Sequence, residues 1–177
     1  MEFKGSKTEA NLITAFAGES QARNKYTFFG EVAKKEGYEQ LASIFLMTAD
    51  NERAHAKMWL RELSGILSTP ENLKMAAAGE HSEWTEMYPA FAEIAKEEGF
   101  TRIAKLFEQV ASIEKEHEER FCRMLENVEK NRVFTKENKQ IWICRNCGYI
   151  HDGESAPEVC PVCAHPKAYF EIMKVLP

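Results

Sequence analysis

Apolar residues along positions 6–131 recur every three to four places, with few breakers between them. That is the spacing of amphipathic helices. Four helices are predicted. The first runs from about Ser6, where Ser6 and Glu9 have capping-box spacing, to Gly37, and the second from Tyr38 to Gly65. The third starts near Pro70, a good first-turn residue, and ends before Gly99. The fourth runs from Phe100 to about Asn131. Pro89 lies inside the third and should kink it locally. Residues 132–140, RVFTKENKQ, read as a linker, and from Ile141 cysteine, glycine and proline replace the alanine-rich pattern. The expected architecture is mainly α: a four-helix bundle over 1–135, then a small four-cysteine domain with short β-strands over 140–177. So short a tail cannot build an adequate core unaided, and a staple is expected.

The helical part repeats itself. EVAKKEGYEQLASIF at 31–45 and EIAKEEGFTRIAKLF at 93–107 share seven of fifteen positions at an offset of 62. The same offset relates Glu52 to Glu114, His55 to His117 and Tyr26 to Tyr88. The bundle is therefore two copies of a helix pair, each turning at a glycine, Gly37 or Gly99. Glu19 and Glu80 also correspond, but at an offset of 61. One residue has been gained between Glu80 and Tyr88, which is how a π-bulge looks in sequence, and such bulges favour functional sites. The third helix adds a further acid on that face, Glu83, where the first helix has Ala22.

NERAH at 51–55 and EKEH at 114–117 place a carboxylate and an imidazole three residues apart, on one helix face. The neighbours of Glu52 and His55 on that face include Leu41, Ile44, Phe45, Thr48 and Trp59. A lone Glu-x-x-His is usually a solvated pair. Two in matched repeats, each with an acid on the partner helix, point instead to metal. Five carboxylates (Glu19, Glu52, Glu80, Glu83, Glu114) and two imidazoles (His55, His117) lie on the four stripes. Burying even one unpaired carboxylate costs several kcal/mol, so such a set requires compensating cations. Oxygen-rich ligation with two nitrogens suits iron or manganese. One Glu from each of two helices and Glu-x-x-His from each of the others is the ferritin-like dimetal pattern. In that pattern Glu52 and Glu114 bridge the metals, Glu19 and Glu80 are terminal ligands, and His55 and His117 each face one metal. The matched Tyr26 and Tyr88 are expected to hydrogen-bond ligand carboxylates.

In CRNCGYIHDGESAPEVCPVC at 144–163, two C-x2-C knuckles stand twelve residues apart. Cys144, Cys147, Cys160 and Cys163 can converge on one tetrahedral metal, in preference to a disulfide pair. Four thiolates suit zinc and iron alike. The small residues after each knuckle, Gly148 and Ala164, leave backbone N–H groups free to approach sulfur. Trp142, Tyr149 and Phe170 can cover the site, and both features favour iron. Cys122, alone in the fourth helix, reads as a buried structural thiol. His81, His151 and His165 receive no role.

Composition adds exclusions. The chain has 177 residues and a net charge of −5, with no basic patch, which argues against nucleic acid as a partner. No apolar run is long enough to span a membrane and none resembles a signal peptide. A cytoplasmic location is expected.

Taken in order, TAFAGESQARNKY, NERAH, AAGEHSEWTEMYP, EKEH, CRNCGY and CPVCAHPKAYFE resemble a rubrerythrin over essentially the whole chain. The resemblance implies a ferritin-like di-iron bundle with a C-terminal rubredoxin-like domain, and three irons per chain. It implies a non-haem peroxidase that reduces hydrogen peroxide to water in oxidative-stress defence. Electrons would come from NAD(P)H through a reductase or small carrier protein, then through the four-cysteine iron. It also implies that Glu83 binds one iron in the diferric state and that this iron shifts to His55 on reduction. Family members form homodimers in which one subunit's rubredoxin centre lies near the other's di-iron site, and some exchange helices. Two other functions compete: a ferroxidase or iron store of the ferritin type, which needs no electron relay, and an interaction module with a zinc ribbon, which leaves the clustered acids unexplained.

Overall fold

The computed structural model describes residues 2–173. Helix α1 spans Lys7–Lys35, α2 Glu39–Glu62, α3 Thr69–Ser82, α4 Tyr88–Glu97 and α5 Thr101–Glu129. Between α3 and α4 lies a π-helical turn, Glu83–Met87. The predicted third helix is thus present but broken where the repeat gained its extra residue. Pro89 falls in the first turn of α4, where its missing N–H costs little.

The chain divides into two compact units at the Leu67–Ser68 junction. In the first, α1 and α2 form an antiparallel hairpin. Ser6 Oγ accepts the Glu9 N–H at 3.1 Å, and the Glu9 carboxylate accepts the Gly5 N–H, a variant of the expected box. Gly37 ends α1 at φ +86°, a conformation costing other residues about 1–2 kcal/mol. It lets Tyr38 N–H reach Ala33 O at 2.9 Å. Small residues, Gly30, Ala33, Ala42, Ala49 and Ala56, bring the helices close and are buried.

The second unit repeats this. The α3–π–α4 rod packs on α5, Gly99 turns at φ +83°, and Phe100 N–H reaches Ala95 O at 2.7 Å. The unit also contains the tail, a three-stranded antiparallel sheet in the order β2–β1–β3. The strands are β1 Thr135–Cys144, β2 Ile150–Ser155 and β3 Phe170–Ile172. The expected linker 132–140 is therefore largely strand. Its polar side chains hide the pattern, and an irregularity in pairing between Thr135 and Gln140 breaks the alternation. Trp142, Cys144, Ala156, Cys160 and Phe170 form the tail's core, with Tyr149 packed against it, so the predicted aromatic cover is present. No helix among the described residues is long and apolar enough to cross a membrane.

Candidate metal centres

Each hairpin carries one three-residue cluster, and the two clusters match. On α1 and α2, His55 Nδ1 lies 2.9 Å from Glu52 Oε2 and 3.9 Å from Glu19 Oε1. On α3 and α5, His117 Nδ1 lies 2.6 Å from Glu114 Oε2 and 3.7 Å from Glu80 Oε1. Within each cluster one donor atom from every residue lies within 4.8 Å of the others, close enough to share an ion. The i, i+3 spacing sets the histidine against its own helix's glutamate, and the facing helix supplies the third group.

The acids are less sequestered than the sequence implied. The four carboxylates of the two clusters retain 14–29% of their side-chain exposure, and no polar or charged residue among those described is fully buried. The faces around them stay open too, with Leu41 and Ile44 about half exposed. Crowding persists nevertheless. Desolvation, and then the neighbouring Glu114 charge, raise the Glu80 carboxyl above the usual range. A cation is the group that would relieve both effects.

Glu83 is the first residue of the π turn and falls outside the three-residue cluster. Its charge still reaches Glu80 and Tyr88. The turn is closed by the Tyr88 N–H reaching the Glu83 carbonyl, five residues back. The extra residue has a geometric role. At about 100° per residue, seven positions return to nearly the same helix face, whereas eight overshoot by about 80°. Glu19 and Tyr26 are seven apart and Glu80 and Tyr88 eight apart. The π turn absorbs the difference.

Both tyrosines sit in matching aromatic triangles. Tyr26, Phe29 and Phe45 have centroids 5.8–6.4 Å apart, and Tyr88, Phe91 and Phe107 have centroids 5.6–6.4 Å apart. No hydrogen bond joins either hydroxyl to a carboxylate among the described residues. Burial, and then the charges of Glu83, Glu114 and Glu80, push the Tyr88 phenol up from its ordinary value.

In the tail, Cys144 and Cys163 Sγ are 3.7 Å apart and Cys147 and Cys160 Sγ 3.6 Å apart. A tetrahedral metal with sulfur bonds of about 2.3 Å has edges of about 3.8 Å, so the thiols are preset for one ion. The two knuckles close with matching hydrogen bonds. Gly148 N–H bonds Cys144 O at 2.8 Å, and Ala164 N–H bonds Cys160 O at 2.9 Å. The Tyr149 N–H donates to Cys147 sulfur and the His165 N–H to Cys163 sulfur, as the small residues at 148 and 164 suggested. The His165 N–H, aided by the Asn146 side chain, brings the Cys163 thiol down to about 6. At Cys147 the Tyr149 N–H acts in the same direction, but desolvation and the other three thiols outweigh it and push that thiol up to about 12. Four thiols this close ionise together only around a cation. Cys144 and Cys160 are almost fully buried. Cys122 is exposed, against the expectation of a buried thiol.

Gly148 has φ +77° and Ala164 φ +57°. The left-handed region suits glycine and costs alanine about 1 kcal/mol or more. Ala164→Gly should therefore stabilise the metal-loaded tail by about 0.5–1 kcal/mol, read as slower metal loss in denaturant.

Three histidines without a predicted role divide. His151 lies in β2 opposite Trp142. His165 Nδ1 is 3.1 Å from Cys163 O, and its ring stacks edge-on with Tyr169. His81 Nδ1 is 3.1 Å from Glu118, and neither residue carried a sequence signal.

A family model described as rubrerythrin matches residues 10–126 and 71–142, and one described as the rubrerythrin rubredoxin-like domain matches 142–171. The chain is 54% identical to a rubrerythrin of Porphyromonas gingivalis, covering 97% of this chain and 92% of that protein. It is 51% identical to a rubrerythrin of Nitratidesulfovibrio vulgaris, covering 97% of each. A solved structure of fully reduced nigerythrin is 32% identical, covering 97% of this chain and 91% of that one, with a TM-score of 0.37. Both hairpins and the four-cysteine tail fall inside the matched regions, and this chain belongs to the rubrerythrin family, mainly α proteins with a ferritin-like di-iron fold and a C-terminal rubredoxin-like domain.

Proposed function

We propose that this chain reduces hydrogen peroxide to water, using three irons per chain, as part of oxidative-stress defence. The observation that carries this reading is the presence in one chain of two matched carboxylate–histidine clusters and four thiols spaced for a single metal ion. Glu19, Glu52 and His55 would hold one iron, and Glu80, Glu114 and His117 the other. Iron held there would supply the two electrons that, with two protons, take hydrogen peroxide to two waters. Glu83 adds the negative charge that favours ferric iron, and neutral His55 suffices for ferrous iron. Tyr88 is protonated at neutral pH as tyrosines ordinarily are, and burial together with three carboxylates holds it still further from the phenolate. Its O–H can donate to a carboxylate or to a departing oxygen, and Tyr26 is its counterpart.

Division of labour follows the expected domains, chemistry in 1–135 and electron supply in 140–177. Cys144, Cys147, Cys160 and Cys163 would hold the relay iron, which a reductase or small carrier protein refills from NAD(P)H. The working assembly is a homodimer. N–H···S bonds would stabilise the more negative, reduced state of such a centre, and the apolar Trp142 and Phe170 cover, by excluding water, would act in the opposite direction.

An iron store has no use for the relay. The test is to supply ferrous iron in excess with oxygen, and separately peroxide with reductant. A peroxide reductase stops at about three irons per chain on the ligand sets above and turns over peroxide continuously. Accumulation of tens of irons without peroxide turnover would favour the storage reading.

A further inference from the structure

Three side chains outside the metal clusters meet across the second hairpin. Trp84, in the π turn, donates its Nε1–H to Glu118 Oε2 on α5. His81 Nδ1, at the end of α3, lies 3.1 Å from both Glu118 oxygens. The His81 and Trp84 rings meet edge-on with centroids 5.6 Å apart, and Lys115 Nζ lies 5.5 Å from the Trp84 ring centre. The Trp84 N–H, and then His81, hold the Glu118 carboxyl below its usual range. These contacts bracket the start of the π turn: one residue before it, one within it, and both tied to one carboxylate on the facing helix.

The internal repeat supplies the control. His81 corresponds to Ser20 and Glu118 to Ala56, while Trp84 corresponds to Ala22 or Arg23, according to where the gained residue is counted. None of these can make the same contacts. The first hairpin is regular helix through that region, and the equivalent space is an open groove of about 350 Å³ lined by residues including Ser20, Arg23, Arg53 and Ala56. The clamp thus occurs in the half that has the π turn and is missing from the half that does not.

We infer that Trp84, Glu118 and His81 form a clamp that holds the π turn in place and thereby fixes where the turn presents Glu83. A π turn forgoes regular i→i−4 bonding and is uncommon in helices, so an external tie is what a persistent one needs. Trp84 is one residue from Glu83 and Glu118 one residue from His117. The clamp therefore ties the segment that carries Glu83 to α5, the helix that carries Glu114 and His117. These are positioning residues, and the functional half of the inference rests on Glu83 as an iron ligand.

The test uses full-length protein in two measurements. In metal-free protein, amide exchange at Tyr88, whose N–H closes the π turn, is compared with exchange at Ala49 in α2. Loss of a hydrogen bond to a charged acceptor should speed Tyr88 exchange about tenfold in Trp84→Phe and in Glu118→Ala, with Ala49 unchanged. Glu118→Gln, whose amide oxygen still accepts from Trp84, should restore slow exchange. In iron-loaded protein, Trp84→Phe should lower peroxide turnover about tenfold through misplacement of Glu83, and should cost nothing further in a Glu83→Ala background. Unchanged Tyr88 exchange in both Trp84→Phe and Glu118→Ala would overturn the clamp. A full additional loss in the Glu83→Ala background would show that the clamp does not act through Glu83, and would overturn the inference as well. If Glu83→Ala itself leaves turnover intact, the ligand reading of Glu83 fails, while the exchange result still decides the clamp.

Discussion

Cys147→Ser should reduce sustained peroxide turnover by roughly a hundredfold or more, while leaving a single burst of peroxide reduction intact. Cys147 is solvent-exposed, and its sulfur stands 3.6 Å from Cys160 Sγ. A serine hydroxyl there fits sterically but is a far poorer donor to a four-thiolate iron. The tail's core, Trp142, Cys144, Ala156, Cys160 and Phe170, does not include Cys147, so the sheet should persist. The two carboxylate–histidine clusters lie elsewhere in the sequence and keep their ligands. Chemically prereduced variant should therefore oxidise once with peroxide and then stop, even with reductant and reductase present. Loss of the red colour of ferric iron in four thiolates, with bundle iron retained, would accompany it. Mixing this variant with one defective in the bundle should recover part of the turnover if electrons cross between the subunits of a dimer.

Glu114→Ala should have the converse effect. Glu114 is the closest partner of His117 at 2.6 Å and the neighbouring charge that adds to desolvation in raising Glu80. Its removal takes one carboxylate from the cluster and leaves His117 and Glu80 unable to hold an ion between them. Iron content should fall from about three to about two per chain or fewer, and turnover should fall at least a hundredfold with loss of the metal. The red tail should remain. The metal-free protein should not be destabilised, because two crowded carboxylates become one and Glu80 returns toward its ordinary range. Metal analysis, visible absorbance and thermal unfolding of the metal-free variant check the three parts separately.

The periodic and repeated features were legible in the sequence. The two hairpins, their glycine turns and both Glu-x-x-His faces follow from helical spacing and from one offset. The single-residue shift between Glu80 and Tyr88 located the π turn, because helix phase is sensitive to one residue. The knuckles were equally plain, since their chemistry is carried by local spacing. Long-range and exposure-dependent features were not legible. β1 was hidden because Thr135–Gln140 is polar and irregularly paired. Cys122 looked like core because a helical stripe fixes a face without fixing what covers it. Desolvation was overstated for the clustered acids for the same reason. The contact between Trp84 and Glu118 spans 34 residues and joins two side chains that read as ordinary surface and stripe.

Anaerobic titration of the fully reduced, iron-loaded protein with hydrogen peroxide tests the central claim most directly. Peroxide accepts two electrons, and three ferrous centres offer three, so the account predicts complete oxidation at about 1.5 peroxides per chain. The four-thiolate iron should redden as the bundle re-oxidises, with water as the product and no oxygen released. An end point of about one peroxide per chain, with the tail still reduced, would show that the four-cysteine centre is not wired to the peroxide site and would contradict the account.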